Sequence, residues 1–291
     1  MTAPTIAPAK ITTPGVYRMD AETYHADPVD GGSLSSSGAR LLLPPSCPAK
    51  FRWEQDHGEP PKAVFEFGTA AHRLVLGDGP ELVVIDHDSW RTKAAKEAAD
   101  EARAEGKVPL LADDYLVVEA MADAIRRHPV AGPLFTPGTG VAEAALVWRD
   151  EPTGVMCRAL VDWLPDKVPG RRRILVDYKT ARSGDPDTLG RAAHGYGYHQ
   201  QDAWYSAGAK ALGLADDDMA FLFVSQEKTP PYLVTLSEFD HEARLLGERL
   251  NRHALNVYCD CVETGRWPGY GDDQVARLYL PPWAFAQEGT S

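Results

Sequence analysis

The apolar residues along the chain follow two patterns, which predict helices in its first half and strands in its middle. Helical spacing, together with capping residues and glycine or proline stops, predicts helices at 39–43, 65–76, 90–105, 112–127, 186–193, 198–212 and 238–262. Alternating or continuous apolar stretches predict strands at 81–85, 141–148, 155–164, 174–179, 219–225 and 232–236. The turn sequence Asp150–Gly154 joins two of these strands as a hairpin.

The order of these elements predicts an α/β fold, in which helices pack against one mixed sheet. Helices come first, followed by three strands, a helical region and a further strand. Residues 1–30 contain several prolines and small polar residues, so they are predicted to form an irregular arm. Residues 31–270 then form a single domain with an N-terminal helical elaboration, and 271–291 form a C-terminal tail.

The composition is that of a soluble globular protein and excludes a fibrous or wholly disordered chain. The 291 residues are 44% apolar and 25% charged. No apolar run approaches the roughly 20 residues that a membrane span needs, so no membrane partner is expected. The stretch Met1–Ile11 lacks a basic start followed by an apolar segment. No secretory signal is therefore visible, and a cytoplasmic location is expected.

The four cysteines do not have the spacing of a disulfide scaffold or of a C-x-x-C metal or redox motif. They are Cys47, Cys157, Cys259 and Cys261. The prediction is four free thiols in a reducing compartment. An iron–sulfur cluster on all four is the remaining alternative.

The net charge of the chain is −12, from 42 acidic and 30 basic residues. A protein that coats DNA usually carries a basic surface, so this balance argues against a nucleic-acid partner. A nucleic-acid function would therefore depend on the local charge at a cleft, not on the sum over the chain.

Polar residues within the most apolar predicted strands are the candidates for chemistry. Asp162 follows Ala159–Val161, and Asp177 follows Ile174–Val176, with Lys179 two residues further on. Residues i and i+2 of a strand project from the same face, so Asp177 and Lys179 point the same way. If the two strands pair, Asp162 can lie beside Asp177.

Two ionised carboxylates held together repel each other unless positive charge lies between them. A divalent cation supplies that charge, and oxygen ligands favour magnesium or manganese. Such a metal can lower the pKa of a bound water and stabilise phosphoryl transfer. Lys179 could orient the water or neutralise the phosphate. The alternative is an ion pair between Asp177 and Lys179 at a strand end, with Asp162 in a turn.

Four further residues are candidates for the same site. Glu143 interrupts an Ala-rich apolar strand and is a candidate third carboxylate, although an edge-strand residue facing water would look the same. His72 lies on an apolar predicted helix, where a lone histidine is usually a core or surface residue. Gln201 and Tyr205 are four residues apart and share one helical face. They suit contact with a phosphate or base, or simple packing.

Taken in order, these residues resemble the PD-(D/E)XK nuclease superfamily, and more closely its RecE-type and RecB-type exonucleases. The resemblance covers about 34–270. D-x-K alone is a weak signal, whereas the ordered set G-x-x-x-H, D, D-x-K and Q-x-x-x-Y is strong. The segments that carry it are Gly68–His72, Glu143, Cys157–Asp162, Val176–Ala181, Tyr198–Tyr205 and Thr264–Tyr270.

The resemblance implies an αβββαβ nuclease core and a site for Mg²⁺, for which Mn²⁺ can substitute. It implies that His72, Asp162 and Asp177 bind the metal and that Lys179 is the catalytic lysine. Glu143 matches a position where related exonucleases carry an acidic residue near the metals. The C-x-C pair does not fit the cysteine spacing of the iron–sulfur relatives, so no cluster is expected.

The resemblance also implies a DNA-binding surface. The candidate contacts are Gln201, Tyr205, Arg158, Arg171, Arg172 and Arg173. The last three lie on the loop before the D-x-K strand, and a solubilising loop would also explain them. Many relatives carry a basic residue and a proline just before the metal aspartate, where this chain has Ala159–Val161. A phosphate contact is therefore missing or supplied elsewhere.

The implied activity is digestion of one strand of linear duplex DNA from an end, with an expected 5′ to 3′ polarity. The implied assembly is a ring-shaped homo-oligomer that works with a single-strand annealing protein in phage or prophage recombination. Alternatives are an endonuclease or CRISPR-adaptation-type nuclease of the superfamily, or an inactive nuclease fold that serves as a DNA-binding or assembly module. A generic α/β protein is harder to reconcile with charges in apolar strands, because burying unpaired charge is costly.

Overall fold

The computed structural model describes residues 4–58, 66–272, 275–281 and 284, and within these the chain forms ten strands and ten helices. The strands are β1 (Thr5–Ile6), β2 (Gly15–Arg18), β3 (Leu34–Ser35), β4 (Leu82–Ile85), β5 (Val108–Leu111), β6 (Gly140–Arg149), β7 (Met156–Pro165), β8 (Ile174–Ala181), β9 (Ala220–Glu227) and β10 (Val234–Ser237). The helices are α1 (Ala21–His25), α2 (Ser36–Leu41), α3 (Pro48–His57), α4 (Glu66–Leu76), α5 (Lys93–Ala104), α6 (Ala112–Arg127), α7 (Ala131–Leu134), α8 (Pro186–Tyr196), α9 (Tyr198–Ala211) and α10 (His241–Thr264). The predicted helix start at position 65 and most of the predicted tail lie outside the described residues.

An eight-stranded mixed sheet forms the centre of the fold, in the order β1-β2-β6-β7-β8-β9-β10, with β3 paired to β7. The long β6–β7 hairpin is antiparallel, β8 runs antiparallel to β7, and β9 runs parallel to β8. The elements α4, β6, β7, β8, α9 and β9 follow one another in the predicted αβββαβ order. A separate parallel pair, β4 and β5, lies outside this sheet.

Helices cover both faces of the sheet. On one face, α9, α10 and α2 pack on a cluster that contains Trp148 and Trp204. On the other face, α4 and α6 pack on a cluster that contains Met121 and Tyr178. The apolar strands β7 to β9 are buried from both sides, which explains their nearly continuous apolar sequences.

The N-terminal segment is not an irregular arm, so this part of the prediction is wrong. Strand β2 pairs antiparallel with β6, with Tyr17 opposite Ala145, and β1 adds in parallel beside it. Ile11, Tyr17 and Tyr24 are buried against Ala145 and Val147. The segment gains its structure from a sheet edge over 100 positions away in sequence, which local apolar spacing does not reveal. The domain boundaries at 30 and 270 remain predictions.

Sequence patterns also missed helix α3 and strand β5. Helix α3 starts with Pro48, which suits the first turn of a helix because its missing N–H needs no partner there. Its residue Phe51 stacks on Trp267 and meets Tyr258 edge-on. This contact with the C-terminal part of the chain stabilises a helix whose own residues are mostly polar.

No helix in the described part of the chain is long and apolar enough to cross a membrane. The four cysteines are free thiols, and three of them, Cys47, Cys157 and Cys261, are buried.

The packing of α10 on α9 depends on a glycine. A Cβ added to Gly247 would lie 2.1 Å from the backbone oxygen of His199, closer than atoms can approach without a shift of one helix. We expect Gly247→Ala to lower the free energy of unfolding by about 2–3 kcal/mol, because overpacking against rigid backbone forces the helices apart. Urea denaturation followed by circular dichroism measures this.

Gly190→Ala is the matched control, because Gly190 also lies inside a helix but has open space around its Cβ position. Alanine there should raise stability by up to about 1 kcal/mol through its better helix propensity. Equal effects of the two substitutions would contradict the close packing of α9 and α10.

Candidate active site

The two aspartates lie beside each other because β7 and β8 are antiparallel neighbours. These strands pair through Trp163 and Val176, and the next residues from this pair are Asp162 and Asp177. The carboxylate of Asp162 accepts a hydrogen bond from the backbone N–H of Tyr178 at 2.8 Å. The side chain of Asp162 therefore takes the place of a strand carbonyl at the point where the β7–β8 ladder ends.

Asp177 is held on the α9 side of the sheet. Its Oδ2 lies 2.7 Å from Lys179 Nζ, and its Oδ1 accepts a hydrogen bond from Gln201 Nε2 at 2.5 Å. The ammonium of Lys179 also lies 5.3 Å from the centre of the Tyr198 ring, within the range of a cation–π contact. Asp177 and Lys179 thus share one face, as their i and i+2 spacing predicts.

His72 reaches the site from α4 on the other side of the sheet. Its Nδ1 lies 3.6 Å from Asp162 Oδ2, and its ring meets the Tyr178 ring edge-on at 5.1 Å. Burial and the nearby charge of Lys179 lower the pKa of His72 to about 4. The imidazole is therefore neutral at pH 7, which is the form that binds metals.

Glu143 lies across from Asp162 on β6. The paired residues Ala142–Trp163 and Ala144–Val161 flank this position in the hairpin. Its backbone has φ of +48°, which is rare for a residue with a side chain and often marks a functional site. Burial and the charge of Asp162 raise the pKa of Glu143 to about 7.

The carboxylates of the site are destabilised as anions. Burial, followed by the charge of Asp162, raises the pKa of Asp177 to about 6. Burial also raises the pKa of Asp162. Burial lowers the pKa of Lys179, but the charges of Asp177 and Asp162 outweigh this and raise it above its ordinary value. The site therefore combines excess negative charge with one ammonium, and a further cation would stabilise it.

The chemistry of these donors fits a divalent cation. Two carboxylates from adjacent strands, a neutral imidazole and a third carboxylate are oxygen-rich ligands of the kind that Mg²⁺ or Mn²⁺ takes. In the described part of the chain, no three histidine, cysteine, aspartate or glutamate side chains lie close enough as they stand to hold an ion. Lys179 and Gln201 contact the two oxygens of Asp177 instead.

An open cavity of about 370 Å³ gives access to the site. Its wall includes His72, Glu143, Asp162, Thr180 and Lys228. Sequence reasoning missed Lys228, although it directly follows β9, whose parallel pairing with β8 brings the ends of both strands to the same edge. A larger recess of about 560 Å³ adjoins at Glu143, and its charged residues are mainly acidic.

The sequence model of the family described as "PDDEXK-like domain of unknown function (DUF3799)" matches residues 35–277. The chain belongs to this family. A PDDEXK-like domain therefore accounts for most of the chain, which confirms the predicted PD-(D/E)XK superfamily and its mixed α/β fold. No curated protein matches the sequence.

A solved structure has the same fold. The "Putative exonuclease" from Eubacterium rectale superposes with a TM-score of 0.56 over 92% of this chain and 98% of that chain. The two sequences are 11% identical, so the likeness shows the fold alone. The shared fold extends over almost the full length of both chains.

Tyr205 of the PDDEXK-like domain is not on a DNA-facing surface, contrary to the prediction. Its side chain is buried and meets the Phe221 ring edge-on at 5.4 Å. It is hydrogen-bonded to Gln201, and its pKa is well above the ordinary value because of burial. Tyr205 therefore positions Gln201, which in turn contacts Asp177.

Arg158 is also buried and is not among the residues that line the cavity, which corrects its assignment as a DNA contact. Its guanidinium lies 2.8 Å from Asp27 Oδ2 and donates to the backbone oxygen and hydroxyl of Ser33. The Tyr24 ring lies below it at 5.3 Å. This side chain ties the N-terminal segment to β7.

The arginine loop before β8 lies at the opposite end of that strand from Lys179, and its contact with DNA stays a prediction. Lys179 is seven residues beyond Arg172, roughly 20 Å along an extended strand. Arg172 donates to the backbone oxygen of Asp218 and pairs with Glu238, and buried Arg173 donates to the backbone oxygen of Pro165. Arg171 is exposed on the same loop. These arginines do not line the described cavity.

A buried hydrogen-bond chain behind the site was not predicted. The Tyr178 hydroxyl donates to Gln226 Oε1 at 2.7 Å, and Gln226 Nε2 donates to the backbone oxygen of Met121 at 2.8 Å. Gln226 is fully buried at the end of the apolar strand β9, a polar exception of the kind that marked Asp177. These hydrogen bonds fix the position of Tyr178. Its backbone N–H donates to Asp162 and its ring contacts His72.

Proposed function

We propose that the protein is a metal-dependent exodeoxyribonuclease of RecE type that degrades one strand of linear duplex DNA, in the 5′ to 3′ direction. The observation that carries this proposal is the cluster of Asp162, Asp177 and Lys179 on β7 and β8, contacted by His72 from α4 and Gln201 from α9. These are the residues of the ordered motif, and they converge at the end of one strand ladder.

An end-dependent activity is favoured over the other activities of the superfamily by two points. The similar fold from Eubacterium rectale bears the name of an exonuclease. The acidic composition, with a net charge of −12, suits binding confined to DNA ends better than binding along duplex.

The residues of the site have separate tasks in hydrolysis. Mg²⁺, or Mn²⁺ in its place, would be held by His72, Asp162, Asp177 and Glu143. When bound, the cation supplies positive charge against the scissile phosphate.

Lys179 stays protonated, so its ammonium can donate to a phosphate oxygen or to the attacking water. Gln201 fixes Asp177 and thereby the position of Lys179.

The partner protein and the oligomeric state are part of the same proposal. The single strand that remains after digestion is a substrate for annealing, so a single-strand annealing protein is the proposed partner in recombination of phage type. A ring-shaped homo-oligomer would keep the enzyme on one duplex end in the cytoplasm.

The test is digestion of a linear duplex labelled at the 5′ or the 3′ end, beside the same DNA as a closed circle. We expect Mg²⁺-dependent loss of the 5′ label from linear DNA, an intact circle, and no reaction in EDTA. Nicking of the circle would indicate an endonuclease instead. Absence of any hydrolysis, together with DNA binding, would indicate an inactive nuclease fold that serves as a binding or assembly module.

A further inference from the structure

Three aromatic rings form a stack that runs from the core to the surface beside the candidate active site. Phe223 of β9 stacks on Tyr198 at 5.4 Å and 19°, and Tyr198 stacks on Tyr196 at 5.6 Å and 26°. Phe223 is buried, whereas Tyr196 is 62% exposed. The outer ring is therefore backed by a rigid aromatic support and presents its free side to solvent.

The junction between α8 and α9 produces this arrangement. Gly197 separates the two tyrosines and has φ of +71°, a left-handed conformation that glycine adopts without strain. A Cβ on Gly197 would lie 2.6 Å from Cδ of Arg40, so glycine also allows that arginine to approach. The Arg40 guanidinium donates to the backbone oxygen of Tyr196. A positive charge thus lies next to the exposed ring.

The stack is joined to the catalytic lysine through its middle ring. Lys179 Nζ lies 5.3 Å from the centre of the Tyr198 ring. Tyr196 is one ring further out than the ring that Lys179 contacts. A nucleotide whose phosphate reached Lys179 would place a neighbouring base within reach of Tyr196.

We propose that the exposed face of Tyr196 is a stacking platform for an unpaired nucleobase next to the scissile phosphate, with Arg40 beside it for the adjoining phosphate. This inference rests on the proposed function. Every base has a π-face, so such stacking is sequence-tolerant. A base within duplex is already stacked on both sides, so the platform selects a strand that has separated at the DNA end.

The surroundings of Tyr196 fit a nucleic acid better than a protein partner. Arg40, which donates to the backbone oxygen of Tyr196, is exposed and charged, so the exposed tyrosine borders a cation. Aromatic rings interleaved with basic residues are the usual arrangement for binding single strands.

The experiment compares the parent with Tyr196→Ala, Tyr196→Trp and the control Tyr279→Ala on linear duplexes. Tyr279 is also an exposed tyrosine, at 82%, but belongs to the C-terminal segment. Each DNA is made intact and with a single abasic nucleotide at successive positions from the end. We would measure kcat/KM with Mg²⁺. Fluorescence anisotropy in EDTA would give the dissociation constant.

We expect Tyr196→Ala to weaken binding and kcat/KM on intact DNA by roughly 5- to 150-fold, as loss of one stacked base predicts. Tyr196→Trp and Tyr279→Ala should match the parent or, for tryptophan, exceed it. One abasic position should cost the parent a similar factor and cost Tyr196→Ala nothing further, because the base and the ring form a single contact.

Two results would overturn the platform. The first is parental binding and kcat/KM for Tyr196→Ala. The second is a loss that is the same for intact and abasic DNA and is accompanied by a change of oligomeric state in light scattering, which would make Tyr196 a subunit contact. If DNA binding shows the expected effect of the abasic position but no hydrolysis occurs, the stacking platform is supported and the proposed exonuclease activity is wrong. If hydrolysis occurs without that effect, the exonuclease activity is supported and the stacking platform is wrong.

Discussion

Asp177→Asn is expected to lower the rate of DNA hydrolysis by roughly 100- to 1,000-fold or more, because the site works by placing charge. The substitution removes a carboxylate that contacts Lys179 and Gln201 while keeping its size. At pH 7 the buried carboxylate is ionised although its pKa is raised to about 6, so the native state holds it at a cost. The folded protein should survive the loss of this charge, because the carboxylate of Asp162 still acts on the ammonium of Lys179.

The measurement is digestion of labelled linear duplex with Mg²⁺, together with the melting temperature with and without Mn²⁺. Binding of Mn²⁺ to the native state should raise the melting temperature of the parent, and this rise should vanish in Asp177→Asn. Lys179→Ala should lose activity to a similar degree. Parental hydrolysis by either variant would remove Asp177 or Lys179 from the mechanism.

A matched control exists on the surface of the same protein. Asp217 forms an ion pair with Lys210 at 2.9 Å, but its side chain is 99% exposed. Asp217→Asn makes the same chemical change away from the cavity and should alter neither hydrolysis nor the Mn²⁺-dependent melting temperature. A loss of activity in this control would show that the effect of Asp177→Asn is not specific to the site.

The second large effect is expected on stability, from Arg158→Met. Arg158 and Asp27 form an ion pair within the protein, and Ser33 is hydrogen-bonded to both. Removal of one partner of a buried pair leaves the other charge uncompensated and typically costs about 3–5 kcal/mol. Urea denaturation should show this loss, and hydrolysis per folded molecule should fall far less than in Asp177→Asn.

The double variant Asp27→Asn with Arg158→Met tests the cause. It removes both charges, so it should be more stable than Arg158→Met alone. Arg191→Met is the control for loss of an exposed arginine and should change stability by no more than about 0.5 kcal/mol. If Arg158→Met is as stable as the parent but loses affinity for DNA, Arg158 is a DNA contact after all.

The sequence was informative wherever the cause of structure is local. Alternation and apolar runs predicted β6 to β9, because a strand buried on both faces needs apolar residues at nearly every position. The same reasoning made Asp162 and Asp177 conspicuous, since charge in such a strand requires a partner or a ligand. Lys179 followed from the period of two along a strand.

Other features depend on partners distant in the chain. Whether an arginine faces DNA or a carboxylate of the same protein is not encoded by its neighbours in sequence. Arg158 meets Asp27, and Arg172 meets Glu238, across the fold. In the same way, β2 gained its place from the edge of β6. The composition could not predict the partners of these side chains, because the energy of an ion pair depends on the distance between the charges and on their burial.

The sequence by itself determined the order of the core elements and the residue types of the site, because local periodicity fixes which side chains share a face. Only the tertiary structure decided which of those side chains meet. It brought His72 from α4 and Gln201 from α9 to opposite sides of the β7–β8 junction, and it buried Tyr205. It also aligned Tyr196 with Phe223 through a ring beside Lys179. Packing of distant segments sets these contacts, and no single segment of sequence contains them.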